Sequence, residues 1–91
     1  MILSVYSIRD SAANAYGRPF YMTSTGLAIR AFGDEINRAS ADNAMYQHPE
    51  DFCLYYLGTF DDSNGLFTLN PLPEQVARGQ DYVIKPSQAS A

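Results

Sequence analysis

Apolar and aromatic residues alternate along two stretches of the chain, and each stretch predicts a β-strand. The first runs from Ile2 to Ile8 and the second from Phe52 to Phe60. Both alternating rows of the second stretch are mostly apolar or aromatic, which is typical of a strand covered on both faces. Shorter apolar runs predict strands at 19–22 and 66–69, and residues 82–84 predict a last edge strand. In the stretch from Phe52 to Phe60, one of the two alternating rows comprises Phe52, Leu54, Tyr56 and Phe60.

Apolar residues at helical spacing predict the main helix over about 25–39. Hydroxyl side chains at 23–25 precede it, and such side chains accept hydrogen bonds from the free N–H groups of a first helical turn. A shorter helix is predicted over about 73–79, because Pro73 suits a helix start and Gly79 a helix end. The positions that share the apolar face of the main helix are Ala28, Ile29, Phe32 and Ile36.

The segment from Asp61 to Gly65 predicts a hairpin turn between two of these strands, because it ends in Asn-Gly. The predicted order is β-β-α-β-β-α-β. We therefore expect an α+β fold, with a small antiparallel sheet of about four to five strands and the main helix packed on one face. Residues 1–85 are assigned to a single domain, and residues 86–91 to a loose tail.

One helix covers only one face of a sheet, so the second aromatic face of the predicted sheet needs another cover. A second copy of the chain, the short second helix or a ligand can each supply it. The simplest expectation is a homodimer or a higher homo-oligomer formed through a two-fold contact.

The composition excludes several classes of protein. With 91 residues, 46% of them hydrophobic and 18% charged, the chain is long enough for one small globular domain. A single cysteine, Cys53, excludes an internal disulfide, and a single histidine leaves no Cys/His zinc site. No apolar run approaches the roughly 20 residues of a membrane span, and the first residues lack the features of a signal peptide. We expect no enzymatic activity, no catalytic residues, no metal site, no cofactor and no membrane partner.

Charge is distributed unevenly along a chain whose net charge is −4. Residues 1–39 carry four arginines and three acidic residues, whereas residues 40–91 carry two basic and seven acidic residues. In the first part, aromatic residues interleave with arginines, and proteins bind single-stranded nucleic acid with aromatic platforms and cations. The same aromatic residues also suit a core or an interface between subunits. The candidate nucleic-acid-binding residues are Arg9, Arg18, Arg30, Arg38, Tyr6, Tyr16, Phe20 and Tyr21.

Four sequence blocks, which span most of residues 3–83, resemble one known family. They are VYSIRDSAANAYGRPFYM at 5–22, AIRAFGDEIN at 28–37, HPEDFCLYYLGTFDD at 48–62 with Asn-Gly shortly after it, and PEQVARGQDYV at 73–83. In these blocks and their order, the chain resembles the small non-structural protein of gokushoviruses and related microviruses. These viruses are bacteriophages with single-stranded DNA genomes.

The resemblance implies a non-structural phage protein that is made in the cytoplasm of the infected bacterial host. It implies a non-enzymatic role in DNA binding, or in the switch from genome replication to packaging. The partner is then single-stranded DNA or the replication complex. A second hypothesis is a protein–protein adaptor that docks on a basic phage replication or capsid protein, or on a basic host protein. The acidic residues that would form its docking face are Glu50, Asp51, Asp61 and Asp62.

Overall fold

The computed structural model describes residues 1–84. The tail predicted at 86–91 lies outside the described residues, and so does Lys85. The described chain forms five strands and two α-helices, together with short 3₁₀ helices at Pro49–Asp51 and Gly79–Tyr82. The elements, in chain order, are β1 (Ile2–Asp10), β2 (Ala15–Tyr16), β3 (Phe20–Met22), α1 (Thr25–Ile36), α2 (Ala44–Gln47), β4 (Phe52–Asp61) and β5 (Leu66–Arg78).

All strands belong to one curled antiparallel sheet, which confirms the predicted α+β fold. The long strands β1 and β4 pair along most of their length, and β5 pairs with the other side of β4. The short strands β2 and β3 both pair with the free side of β1, one after the other. As a result, β1 and β4 lie inside the sheet, and β5 forms one complete edge.

The main helix is confirmed, and it is three residues shorter than predicted. Ser24 is its N-cap, and the Ser24 hydroxyl accepts a hydrogen bond from the Leu27 backbone N–H at 3.2 Å. Helix α1 ends at Ile36 because Asn37 caps it. The Asn37 side-chain amide donates to the carbonyl oxygens of Gly33 and Tyr82, both at 2.8 Å, which also ties the end of α1 to the 3₁₀ helix after β5.

The core lies between α1 and one face of the sheet. Phe32 and Ile36 of α1 are fully buried with Tyr6 of β1 and Leu54 of β4. The Tyr6 hydroxyl lies 2.6 Å from the Thr25 hydroxyl, so the most buried aromatic side chain keeps a hydrogen-bond partner at the start of α1. Within residues 1–84, no helix is long and apolar enough to cross a membrane.

Two predicted elements near the end of the chain are wrong. The short helix expected over about 73–79 is absent, because residues 73–78 continue β5. The edge strand expected at 82–84 is also absent, because the 3₁₀ helix Gly79–Tyr82 ends at the first of these residues. Proline residues at 71 and 73 suggested a break in the strand. They are tolerated because both lie among residues 70–73 of this edge strand, which have no pairing partner on β4, so no hydrogen bond of the sheet needs their missing N–H groups.

An irregularity in the middle of β4 changes which side chains share a face. Val5 pairs with Gly58 and Tyr6 pairs with Tyr56, so Leu57 has no residue opposite it on β1. This β-bulge reverses the alternation beyond it. Phe60 therefore lies on the face opposite to Tyr56, although the sequence pattern placed both in one row.

Gly58 allows β5 to approach β4, and we expect its replacement by alanine to destabilise the protein. Its φ is +145°, and a Cβ atom would lie 2.3 Å from the Thr68 carbonyl oxygen and 2.7 Å from the Leu69 Cα atom. Backbone strain and overpacking together should cost about 2–4 kcal/mol, which lowers the Tm of a domain this size by roughly 10 °C or more. Thermal melts measure the effect. Gly26→Ala is the control, because its Cβ meets nothing within 4 Å.

Gly65 closes the hairpin loop with a φ of +75°, which confirms the predicted turn. Its N–H donates to the Asp61 carbonyl oxygen at 2.7 Å. Gly65→Val should destabilise the fold by about 1–2 kcal/mol, because a β-branched residue is strained at positive φ. Gly65→Asn should retain most of the stability, since asparagine adopts this conformation more readily. Equal Tm values for the valine and asparagine variants would contradict this explanation.

Candidate nucleic-acid interface

The sheet face opposite α1 carries the candidate site. In β1, the residues that alternate with the buried Tyr6 are Leu3, Val5, Ser7 and Arg9, and their paired neighbours on the other strands complete this surface, which we call the open face. Val5 and Ser7 are buried although α1 lies on the other side. They lie on an inner strand between aromatic neighbours, and the Ser7 hydroxyl donates to the Gly17 carbonyl oxygen at 2.7 Å.

One half of the open face combines a cation with aromatic rings. The guanidinium carbon of Arg9 lies 5.9 Å from the ring centroid of Tyr16, within the range of a cation–π interaction. The Tyr16 ring in turn contacts the Tyr55 ring edge to face, at a centroid distance of 5.3 Å. The Tyr55 hydroxyl donates to the side-chain oxygen of Gln75 at 3.3 Å. These four residues, Arg9, Tyr16, Tyr55 and Gln75, form what we call the basic aromatic cluster.

Cys53 lies beside this cluster, because it pairs with Arg9 on β1 and with Arg78 on β5. Burial raises the pKa of the Cys53 thiol, and the positive charges of Arg78 and Arg9 oppose that effect without reversing it. The thiol is therefore protonated at neutral pH, which does not favour a role as a nucleophile.

The other half of the open face is an uncharged aromatic group near the hairpin loop. Phe60 and Phe67 pair across β4 and β5 with ring centroids 4.7 Å apart, and Tyr21 of β3 contacts the Phe60 ring edge to face at 5.7 Å. Phe67 is 51% exposed and Tyr21 is 44% exposed. These three residues form the distal aromatic cluster, in which Tyr21 and Phe67 are exposed and Phe60 is half-buried.

The structure separates the eight residues that were predicted to bind nucleic acid. Arg9, Tyr16 and Tyr21 lie on the open face. Tyr6 is fully buried and Phe20 packs against the core with a ring centroid 6.0 Å from that of Tyr6, so neither ring is accessible for stacking on a base.

The other three predicted arginines lie outside the strands, and Arg18 borders the open face, because the Ser7 hydroxyl donates to the carbonyl oxygen of the preceding residue, Gly17. Arg18 is exposed in the loop between β2 and β3, Arg30 is exposed on α1, and Arg38 follows the end of α1. Arg38 forms an ion pair with Glu35 at 2.7 Å, and its hydrogen bonds lower the pKa of the Glu35 carboxyl group. Arg30 and Arg38 thus belong to the helix side of the molecule and not to the open face.

Sequence reasoning missed Tyr55 and Arg78, which the strand register brings to the open face. The alternation of 52–60 puts Tyr55 in the second row of that strand and indicates no function for it, and Arg78 falls within the helix predicted over about 73–79, which does not form. Cys53 pairs with Arg9 on β1 and with Arg78 on β5, and this register places both arginines on the open face. The register requires that β5 continue as a strand up to Arg78, whereas the prolines at 71 and 73 indicate that the strand ends before them.

The acidic residues of the adaptor hypothesis do not form one face. Glu50 and Asp51 precede β4, whereas Asp61 and Asp62 follow its far end, and a ten-residue strand separates the two pairs by roughly 30 Å. Side-chain ligand atoms of His48, Glu50 and Asp51 lie within 4.8 Å of one another on the surface. This is a common arrangement of exposed polar groups around a turn.

Comparison with known proteins finds similarity to phage proteins. The family model described as Phage ORF5 protein matches residues 3–82 of this chain. The relative named Protein ORF5 from Chlamydia phage 1 is 36% identical over 69 residues, which cover 74% of this chain and 72% of the relative. No solved structure matches the chain.

Proposed function

Because this chain belongs to the Phage ORF5 protein family, we propose that it is a non-enzymatic phage accessory protein that binds single-stranded DNA on the open face. In this role it acts in the cytoplasm of the infected bacterial host. There it binds DNA alone or within the replication complex, and it assists the switch from genome replication to packaging.

The observation that supports this proposal most strongly is the basic aromatic cluster. Arg9 lies over Tyr16, and Tyr16 contacts Tyr55, on a sheet face that no helix of the described residues covers. Aromatic side chains on an exposed sheet stack with unpaired bases, and adjacent cations neutralise phosphates. The cluster supplies both kinds of group within one small surface.

The state of each arginine supports the same assignment. Arg38 and Arg78 are held by carboxylates, at Glu35 and Asp81, and these pairs neutralise their charges. Arg9 instead donates to the neutral side-chain oxygen of Asn14, so its positive charge is not cancelled by an ion pair. Among the described residues, Arg18 and Arg30 also have no carboxylate within ion-pair distance, but Arg30 lies on α1 and not on the open face. The uncompensated charges at 9 and 18 can therefore attract a phosphate despite the net charge of −4.

Replacing Arg9 and Arg18 together with alanine should reduce the salt dependence of single-stranded DNA binding. Each lost phosphate contact removes about 0.7 from the slope of log affinity against log salt, so the double variant should lose about 1.4. The control is Arg30→Ala with Arg38→Ala, which removes two positive charges from the helix side. Its slope should equal that of the wild type. Fluorescence anisotropy with a labelled oligonucleotide over a range of salt concentrations gives the slopes.

Two outcomes would contradict the proposal. Equal slope changes in both double variants would mean that net charge alone, and not the open face, governs binding. No binding of single-stranded DNA by the wild type at low salt would exclude direct DNA binding and would favour a protein partner.

Tyr16→Ala should weaken binding without changing the salt slope, because base stacking releases few counterions. Loss of one stacked base costs about 1–3 kcal/mol, equivalent to roughly 5- to 150-fold in affinity. Tyr46→Ala is the matched control, since Tyr46 is similarly exposed at 42% but lies on α2. Affinity measured at two salt concentrations distinguishes the two effects. A weaker affinity in both tyrosine variants would contradict a stacking role at Tyr16.

A further inference from the structure

The outer edge of β5 is open near the hairpin loop. β5 pairs with β4 on one side, and no strand of residues 1–84 pairs with the other side. Leu66, Phe67 and Leu69 are 65%, 51% and 61% exposed. Natural edge strands are commonly protected from pairing by charged side chains, and the segment Leu66–Leu69 carries none. Its backbone and its side chains are therefore both available to a partner.

The exposed side chains lie on both faces of the sheet. Leu66 and Thr68 pair with Asp61 and Thr59, while Phe67 and Leu69 alternate with them and point to the open face. A ligand that lies on one face would leave the other face uncovered. A β-strand added in the plane of the sheet contacts side chains on both faces, so the chemistry of this edge favours a strand as its partner.

The same edge is blocked farther along β5. Pro71 and Pro73 have no N–H group to donate. The four residues from Asn70 to Pro73 also bulge, because only Leu57 lies between the β4 residues that pair on either side of them. Backbone pairing is thus confined to the short segment before the prolines.

We propose that Phe67–Leu69 pairs antiparallel with the same three residues of a second copy of this chain, around a two-fold axis at Thr68. In this register Thr68 faces Thr68 of the second copy, and Phe67 of each copy faces Leu69 of the other copy. The segment is therefore complementary to itself. It contains no charged residue, so two copies with a net charge of −4 each meet there without like charges directly opposite each other.

The proposed contact is short, and it predicts a weak dimer. An edge of three paired residues lies below the size of a standard stable interface, so we expect dissociation in the micromolar range or weaker. The two-fold axis is perpendicular to the sheet, which places the open faces of both copies on the same side. The dimer does not depend on DNA binding.

Sedimentation of the full chain over a range of concentrations tests the proposal. Leu69→Lys places a charge on the paired edge and should weaken the dimer by at least about tenfold. Leu72→Lys is the control, because Leu72 lies on the same strand, within the bulge, and is 76% exposed. Its dimer should persist. A monomer at every concentration, or equal dimerisation by both lysine variants, would overturn the proposal. Circular dichroism confirms that each variant is folded.

A cysteine crosslink provides a second test that does not weaken the edge. In a Cys53→Ser background, Thr68→Cys should form a disulfide-linked dimer under mild oxidation, because the two Cβ atoms lie about 4.5–5.5 Å apart across a strand pair. Ser63→Cys in the hairpin loop is the control, since it should lie roughly 30 Å from its own copy in this register. Crosslinking of both variants at the same rate would overturn the proposed register.

Discussion

Phe32 and Ile36 of α1 pack on Tyr6 and Leu54, and this contact fills one face of a sheet that has two apolar faces. A helix of twelve residues has one apolar stripe, so it covers a single face. The opposite face is left to the aromatic side chains of its own strands. The basic aromatic cluster follows from this imbalance between one helix and a long sheet, whereas the edge of β5 is exposed because no strand of residues 1–84 pairs with its outer side.

The sequence allowed most of the architecture to be predicted, since β1, β4, the hairpin and α1 have strong local signals. It did not reveal the second half of β5, because Pro71 and Pro73 indicate a break unless the strand is known to lie at an edge. The bulge at Leu57 was equally hidden, since it depends on how β1 and β4 align. The local pattern therefore predicted Phe60 on the wrong face.

The candidate site was predictable only in part. Tyr6 and Arg9 lie on the same strand, and the pattern of β1 does not tell which of its two rows faces the helix, because neither row is fully polar. Burial by α1 decides between them, and it places Tyr6 in the core. Which arginines keep their positive charge free also depends on the tertiary structure. Glu35 and Asp81 neutralise Arg38 and Arg78, whereas Arg9 keeps its charge beside an aromatic ring.

DNA binding on the open face is tested most directly by an NMR titration of the isotope-labelled protein with a short single-stranded oligothymidine. If the open face binds DNA, the largest shift changes occur at Arg9, Tyr16 and Tyr55, while the amides of α1 change little. Changes centred on α1, or no saturable changes at low salt, would contradict the assignment of the open face as the nucleic-acid interface.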